Sequence, residues 1–296
     1  LVKLPLHSVQ VGLPLADARW ANETLRREAA TARGRTFAWL GERAVAFAEG
    51  RMVDFADAPL GLDAWNSVNA MMLAMVEAPY RAQALALAAR DEPATRQFRI
   101  VEGSVEWPPV DECFGELLRL TGGDSSNTRG AIRRLREFAA LDPPPVPGDM
   151  WMQIDFRVCP LLLETLLEGG RDHGTASRLD ALDALMHDGP RWLTMGPGSV
   201  PVVEANWTIA RLREAQGDLP RALAAIRRRE NSYYPAYLWT LPAFLRQEGR
   251  LAALVGDSRG ALKAYDHYLT LRTAPDAPLR AQRDSVPAAR PAPAPP

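Results

Sequence analysis

Cysteine is scarce in this chain of 296 residues: Cys113 and Cys159 are the two. They can form one bridge at most, and thiolates alone cannot build a zinc site. Two buried free thiols in a reducing compartment are the expectation. Lysine is scarcer still in function, with Lys3 near one end and Lys263 near the other, so a phosphate loop with its lysine is poorly provided for. Charge of one sign is missing as well. The 35 basic and 36 acidic residues give a net charge of −1, which supplies no overall pull toward nucleic acid or an anionic membrane. No apolar run approaches 18 residues, so no membrane-spanning helix is expected. The four histidines, His7, His173, His187 and His267, form no His-Glu-x-x-His, and no Cys-x-x-Cys or Gly-x-Ser-x-Gly occurs. Asp183 and His187 stand four apart on an expected helix, a spacing that can hold a metal, but they read first as an exposed polar pair. No catalytic residue, metal or cofactor is therefore expected.

Alanine, leucine and arginine dominate what is present, and all three favour helices. In residues 35–49, Phe37, Leu40, Ala44, Val45 and Ala48 recur with a period near 3.6, and Gly50 follows as a helix stop. Further helices are expected over 63–76, from Pro79 to about 89, over 111–121, around Ile132, Leu135 and Phe138, over 150–168 with a break near Pro160, and around Leu179, Leu182, Leu185 and Met186. Residues 92–109 and 191–200 read as irregular connections. The run Asp142-Pro143-Pro144-Pro145-Val146-Pro147-Gly148 cannot be helical, since proline lacks the backbone donor. The expected organisation is a degenerate helical region over 1–141, a Pro-rich break over 142–149, helical repeats over 150–285 and a disordered Pro/Ala tail over 286–296. Short arginine clusters, Arg133-Arg134 and Arg227-Arg228-Arg229, read as solvated helix faces. Trp20, Trp39, Trp65 and Trp207 fall on apolar stripes and are expected in the core, whereas Trp107, Trp151, Trp192 and Trp239 lie near prolines and could wedge between helix pairs.

One spacing occurs twice. Ala210 precedes the turn Gly217-Asp218 by seven places, and Ala222-Leu223 follow that glycine at five and six. Gly249 precedes Gly256-Asp257 by seven, and Ala261-Leu262 follow at five and six. Ile226 and Tyr265 then stand at matching places on the second helices. A chain that repeats its own spacing is built to stack.

These two pairs resemble tetratricopeptide repeats. The resemblance implies an all-α fold in which antiparallel helix pairs stack as a right-handed superhelix, an α-solenoid, with small residues at Ala210, Ala222, Gly249 and Ala261 where helices approach closely. The two glycines are 256 − 217 = 39 positions apart, five more than the family period, with the extra residues in 231–242. Arg229 and Tyr268 stand where the family prefers a small residue. The stretch 248–272 also resembles C-terminal repeat regions of bacterial serine/threonine kinases and transcriptional activators, although no kinase signature and no winged helix is present. The resemblance further implies a concave groove lined by Trp207, Thr208 and Arg211 on one pair and Arg246, Gln247 and Arg250 on the next. An aromatic ring beside three guanidinium groups suits an acidic peptide or a terminal carboxylate.

The function expected is thus non-catalytic: a protein-interaction or regulatory domain of a larger bacterial signalling protein. The alternative is a helical small-ligand sensor or enzyme domain with a pocket near the Pro-rich breaks. The partner is a protein or peptide, with no nucleic acid bound and no membrane inserted by this segment, and a cytoplasmic location is favoured. The first residue is Leu1, so a piece of a longer protein is expected, whose preceding part could carry an activity, an anchor or an export signal.

Overall fold

The computed structural model describes residues 9, 12, 14–52, 77–82, 85–86, 108–140, 157–168, 173–187, 199–228 and 235–289. Among them are eleven α-helices and no strand. The chain divides into two compact units, Leu1–Asp57 with Arg229–Pro296, and Ala58–Arg228. The expected helix over 63–76, the Pro-rich break at 142–149 and the irregular stretch after 191 lie wholly or mostly outside the described residues.

In the first unit, α1 (Leu15–Glu28) packs on α2 (Ala32–Glu49). Each turns Ala or Leu inward at helical spacing: Leu15, Ala18, Ala21 and Leu25 from α1, and Ala38, Ala44, Val45 and Ala48 from α2 are buried. Trp20 does not follow its stripe. It is 59 % exposed, because α1 is covered on the side of Ala18 and Ala21 and Trp20 lies off that side. The helices α9 (Pro235–Leu254), α10 (Ser258–Leu271) and α11 (Ala277–Ala289) complete this unit, with α9 packing on both α10 and α2. Val286 is buried on α11, so the start of the Pro/Ala-rich stretch is helical through Ala289.

The end of α2 is fastened to the link between α10 and α11. Gly50 adopts φ +91°, and a Cβ there would sit 2.9 Å from Pro275 Cα, so only glycine ends α2 at this point without strain. Its carbonyl accepts from Asp276 N at 3.0 Å, and Asp276 Oδ2 accepts from Met52 N at 2.6 Å. The guanidinium of Arg272, 1 % exposed, donates to the Phe47 carbonyl at 2.5 Å and lies 5.9 Å from the Tyr268 ring centroid. Buried Glu49 is paired with Arg19 and with Arg51.

The second unit carries a short 3₁₀ turn, Ala78–Tyr80, with Pro79 in its first turn. Six helices are described after it: α3 (Pro108–Thr121), α4 (Thr128–Ala139), α5 (Val158–Glu168), α6 (His173–His187), α7 (Ser199–Ala215) and α8 (Leu219–Arg227). Neighbours in sequence pack on each other from α3 to α8, and α3 also touches α5 as α5 touches α7. Pro160 stands at the start of its described helix, and residues 150–156 of the expected one lie outside the described residues. It is the third residue of α5, in the first turn, where a missing N–H leaves no intrahelical bond unmade.

Cys113 on α3 and Cys159 on α5 are joined as a disulfide across a separation of 46 residues. This corrects the expectation of two free thiols: each cysteine lies on the buried stripe of its helix, 2 % and 6 % exposed, and the two helices pack face to face.

Candidate functional site

The two repeated spacings fold in the same way. At the end of α7, Gly217 takes φ +81°. Its N–H donates to Glu214 O at 2.9 Å and Asp218 N donates to Arg213 O at 2.8 Å. At the end of α9, Gly256 takes φ +84°, with Gly256 N to Ala253 O at 3.2 Å and Asp257 N to Ala252 O at 2.8 Å. Both are the left-handed helix stop with paired bonds that satisfies the last carbonyls. The aspartate then starts the next helix. Asp218 Oδ1 accepts from Arg221 N at 3.2 Å, and Asp257 Oδ1 accepts from Gly260 N at 2.9 Å, each capping an otherwise unmet donor. A turn of the same kind occurs at Gly123-Asp124, where Asp124 N donates to Arg119 O at 2.8 Å.

All four small residues are inside. Ala210, Ala222 and Ala261 are 0 % exposed, and Gly249 is buried. At Gly249 a Cβ would fall 2.5 Å from Cδ1 and 2.6 Å from Cε1 of Tyr265, so the α10 ring lies directly on the α9 backbone. Gly249→Leu should therefore destabilise the chain by about 1–3 kcal/mol through overpacking, read as a lowered midpoint in a urea melt. An unchanged midpoint would contradict this crossing.

The six residues expected to line a groove fall in different units and are described separately. On α7, Trp207 is 7 % exposed and Thr208 4 %, while Arg211 is exposed. Residues 201–210 are buried without interruption because α5, α6 and α8 all pack on α7, so only the last of the three reaches solvent. Thr208 Oγ1 donates to Glu204 Oε1 at 3.0 Å. Burial pushes the Glu204 carboxyl up to about 7, against the Thr208 hydroxyl and the positive charges of Arg211 and Arg81, which pull it down.

On α9, Arg246, Gln247 and Arg250 do come together, each half-buried. Arg250 Nε donates to Gln247 Oε1 at 3.1 Å. The charges of Arg250 and Arg246 both act on the Tyr265 hydroxyl, which burial nonetheless holds above its ordinary value. Arg246 Nε is buried with no hydrogen-bond partner among the described residues.

Two features escaped the sequence reading. One is Glu204, the lone acid in Val202-Val203-Glu204-Ala205. The spacing Glu204, Thr208, Arg211 along one helix face was the available signal. The other is Asp183. It is buried, 8 % exposed, whereas His187 is exposed, so the two are not an exposed pair. Asp183 Oδ2 accepts from Arg213 Nη2 at 3.1 Å, and its other oxygen is bonded to Arg228 Nη2. Arg213, 4 % exposed, also reaches Asp180 Oδ1 at 2.5 Å. Arg228 is thereby drawn off the solvated face expected for the 227–229 cluster. The Arg213 hydrogen bond holds the Asp180 carboxyl below the usual carboxylate range despite its partial desolvation. Among the described residues no group of three His, Cys, Asp or Glu side chains is placed to hold a metal, and no helix is long and apolar enough to cross a membrane.

The chain matches no family model, no curated protein and no solved structure.

Proposed function

We propose that this chain is a tetratricopeptide-like helical module that binds an acidic protein segment through the α9 face carrying Arg246, Gln247 and Arg250, as the non-catalytic regulatory part of a larger signalling protein. The observation that carries this reading is the buried Arg246 Nε, which has no acceptor among the described residues, beside Arg250 and the Tyr265 hydroxyl. A buried donor left unmet costs about 1–3 kcal/mol, and an incoming carboxylate would recover that cost. Guanidinium groups bind carboxylates through two parallel bonds, which adds direction to attraction. The identically built hairpins α7–α8 and α9–α10 support the repeat assignment, as does the packing of α3 on α5 and of α5 on α7 within the second unit.

The test is fluorescence anisotropy with a labelled hexaglutamate peptide at several salt concentrations. Arg246→Ala with Arg250→Ala should weaken binding by about tenfold or more, since a hydrogen bond to a charged group is worth about 1.5–3 kcal/mol. Stability should stay within about 1 kcal/mol of the parent. Equal affinity in the parent and the double variant would remove the proposal.

A further inference from the structure

Of the five buried acids described in the second unit, the four other than Glu77 differ in what holds them. Glu116 is bonded to Arg119, Glu164 is paired with Arg136 and Arg178, and Asp183 with Arg213 and Arg228. Glu204, 6 % exposed, has the Thr208 hydroxyl as its hydrogen-bond donor among the described residues. It sits in the uninterrupted buried stretch of α7, the helix on which α5, α6 and α8 all pack. The charged groups described on those helices, Arg178 on α6 among them, are committed elsewhere or face outward. On α5, Glu164 and Glu168 turn to arginines. On α6 and α8, Asp180, Asp183, Arg221 and Arg228 join the network around Arg213, and His187 and Arg227 are exposed. What acts on Glu204 is Arg211 from its own helix and Arg81 from the segment around 77–86. Both are exposed, so water screens much of their effect.

We propose that Glu204 is a proton-operated latch: neutral and seated against Thr208 it keeps α7 packed, and loss of its proton to solvent loosens α7 within the second unit. A carboxylate beneath a single hydroxyl in an apolar setting is poorly solvated, so the charged form favours any conformation that admits water. The sign follows from the carboxyl lying near 7 when folded and near 4 in an unfolded chain, as for an ordinary glutamate. The stabilising contribution is whole below about pH 4 and declines as the pH rises, until it is lost above the folded value. This inference is independent of partner binding at α9.

Hydrogen exchange of the full chain tests it, with protection corrected for the intrinsic effect of pH. Between pH 5.5 and 8.5 the α7 amides of the parent should lose at least tenfold more protection than those of α2, which lies in the other unit. Glu204→Gln, which cannot ionise, should show no such loss. Thr208→Val, which removes the donor that favours the charged form, should move the midpoint of the loss to higher pH. Constant α7 protection in the parent would overturn the latch. So would an equal loss in Glu204→Gln. Should that variant not fold, an unmoved midpoint in Thr208→Val would overturn it.

Discussion

Replacing Asp183 with alanine should remove about 3–5 kcal/mol of stability, the range seen when one partner leaves a buried ion pair. Arg213 and Asp183 are both buried, and Arg228 approaches the same carboxylate. Without Asp183 the Arg213 guanidinium keeps, among the described residues, the half-exposed Asp180 and Gln216 as acceptors, and a buried charge loses its buried counterion. Three helices are affected at once, because Asp183 lies on α6, Arg213 on α7 and Arg228 at the C-terminal cap of α8. Asp180→Ala is the control. Its side chain is 55 % exposed, so its loss should cost about 1 kcal/mol or less. The contribution of Asp180 depends on pH with a definite sign. Its carboxyl is held below the ordinary range by Arg213, so it stabilises at neutral pH and is lost as the pH falls through that lowered value. Urea unfolding of the two variants at pH 7 decides the matter. An Asp183→Ala midpoint equal to that of Asp180→Ala would show that the network does not hold these helices.

The second large effect belongs to the disulfide. Changing both Cys113 and Cys159 to serine frees a loop of 46 residues in the unfolded chain, and should lower stability by about 4 kcal/mol on the loop-entropy relation. Adding a reducing agent to the parent should reproduce most of that loss, and should leave the serine variant unchanged. A thermal melt insensitive to reductant would contradict the cross-link.

Much of the fold was readable where residue types act locally. The Gly-Asp turns at 217 and 256, the glycine stop at 50 and the inward Ala44, Val45 and Ala48 of α2 and Ala261 of α10 depend on backbone conformation and on helical period, and both are written in neighbouring residues. The contacts that depend on distant segments were not readable. Asp183 meets Arg213 and Arg228 only after α6, α7 and α8 have packed. Cys113 and Cys159 meet only once α3 lies on α5. Trp20 carries the same residue type as Trp207, yet one is exposed and the other buried, because three helices pack on the stretch of α7 that holds Trp207, whereas Trp20 lies off the covered side of α1. For the candidate site, Arg246, Gln247 and Arg250 were placed together by a three- and four-residue spacing on a single helix. Thr208 is buried instead, because three helices pack on α7, and its hydroxyl donates to Glu204 one turn away.

The central claim is that small residues stand where one helix of a pair lies directly on the backbone of the other. Its most direct test is the stability change on Gly249→Ala, measured once in the parent and once in a Tyr265→Ala background. With the ring in place, the added methyl meets Cδ1 at 2.5 Å and should destabilise by about 1–3 kcal/mol. With the ring gone, the same substitution should stabilise by about 1 kcal/mol, the ordinary gain of alanine over glycine inside a helix. That reversal of sign is the expected result; the same loss in both backgrounds would contradict it.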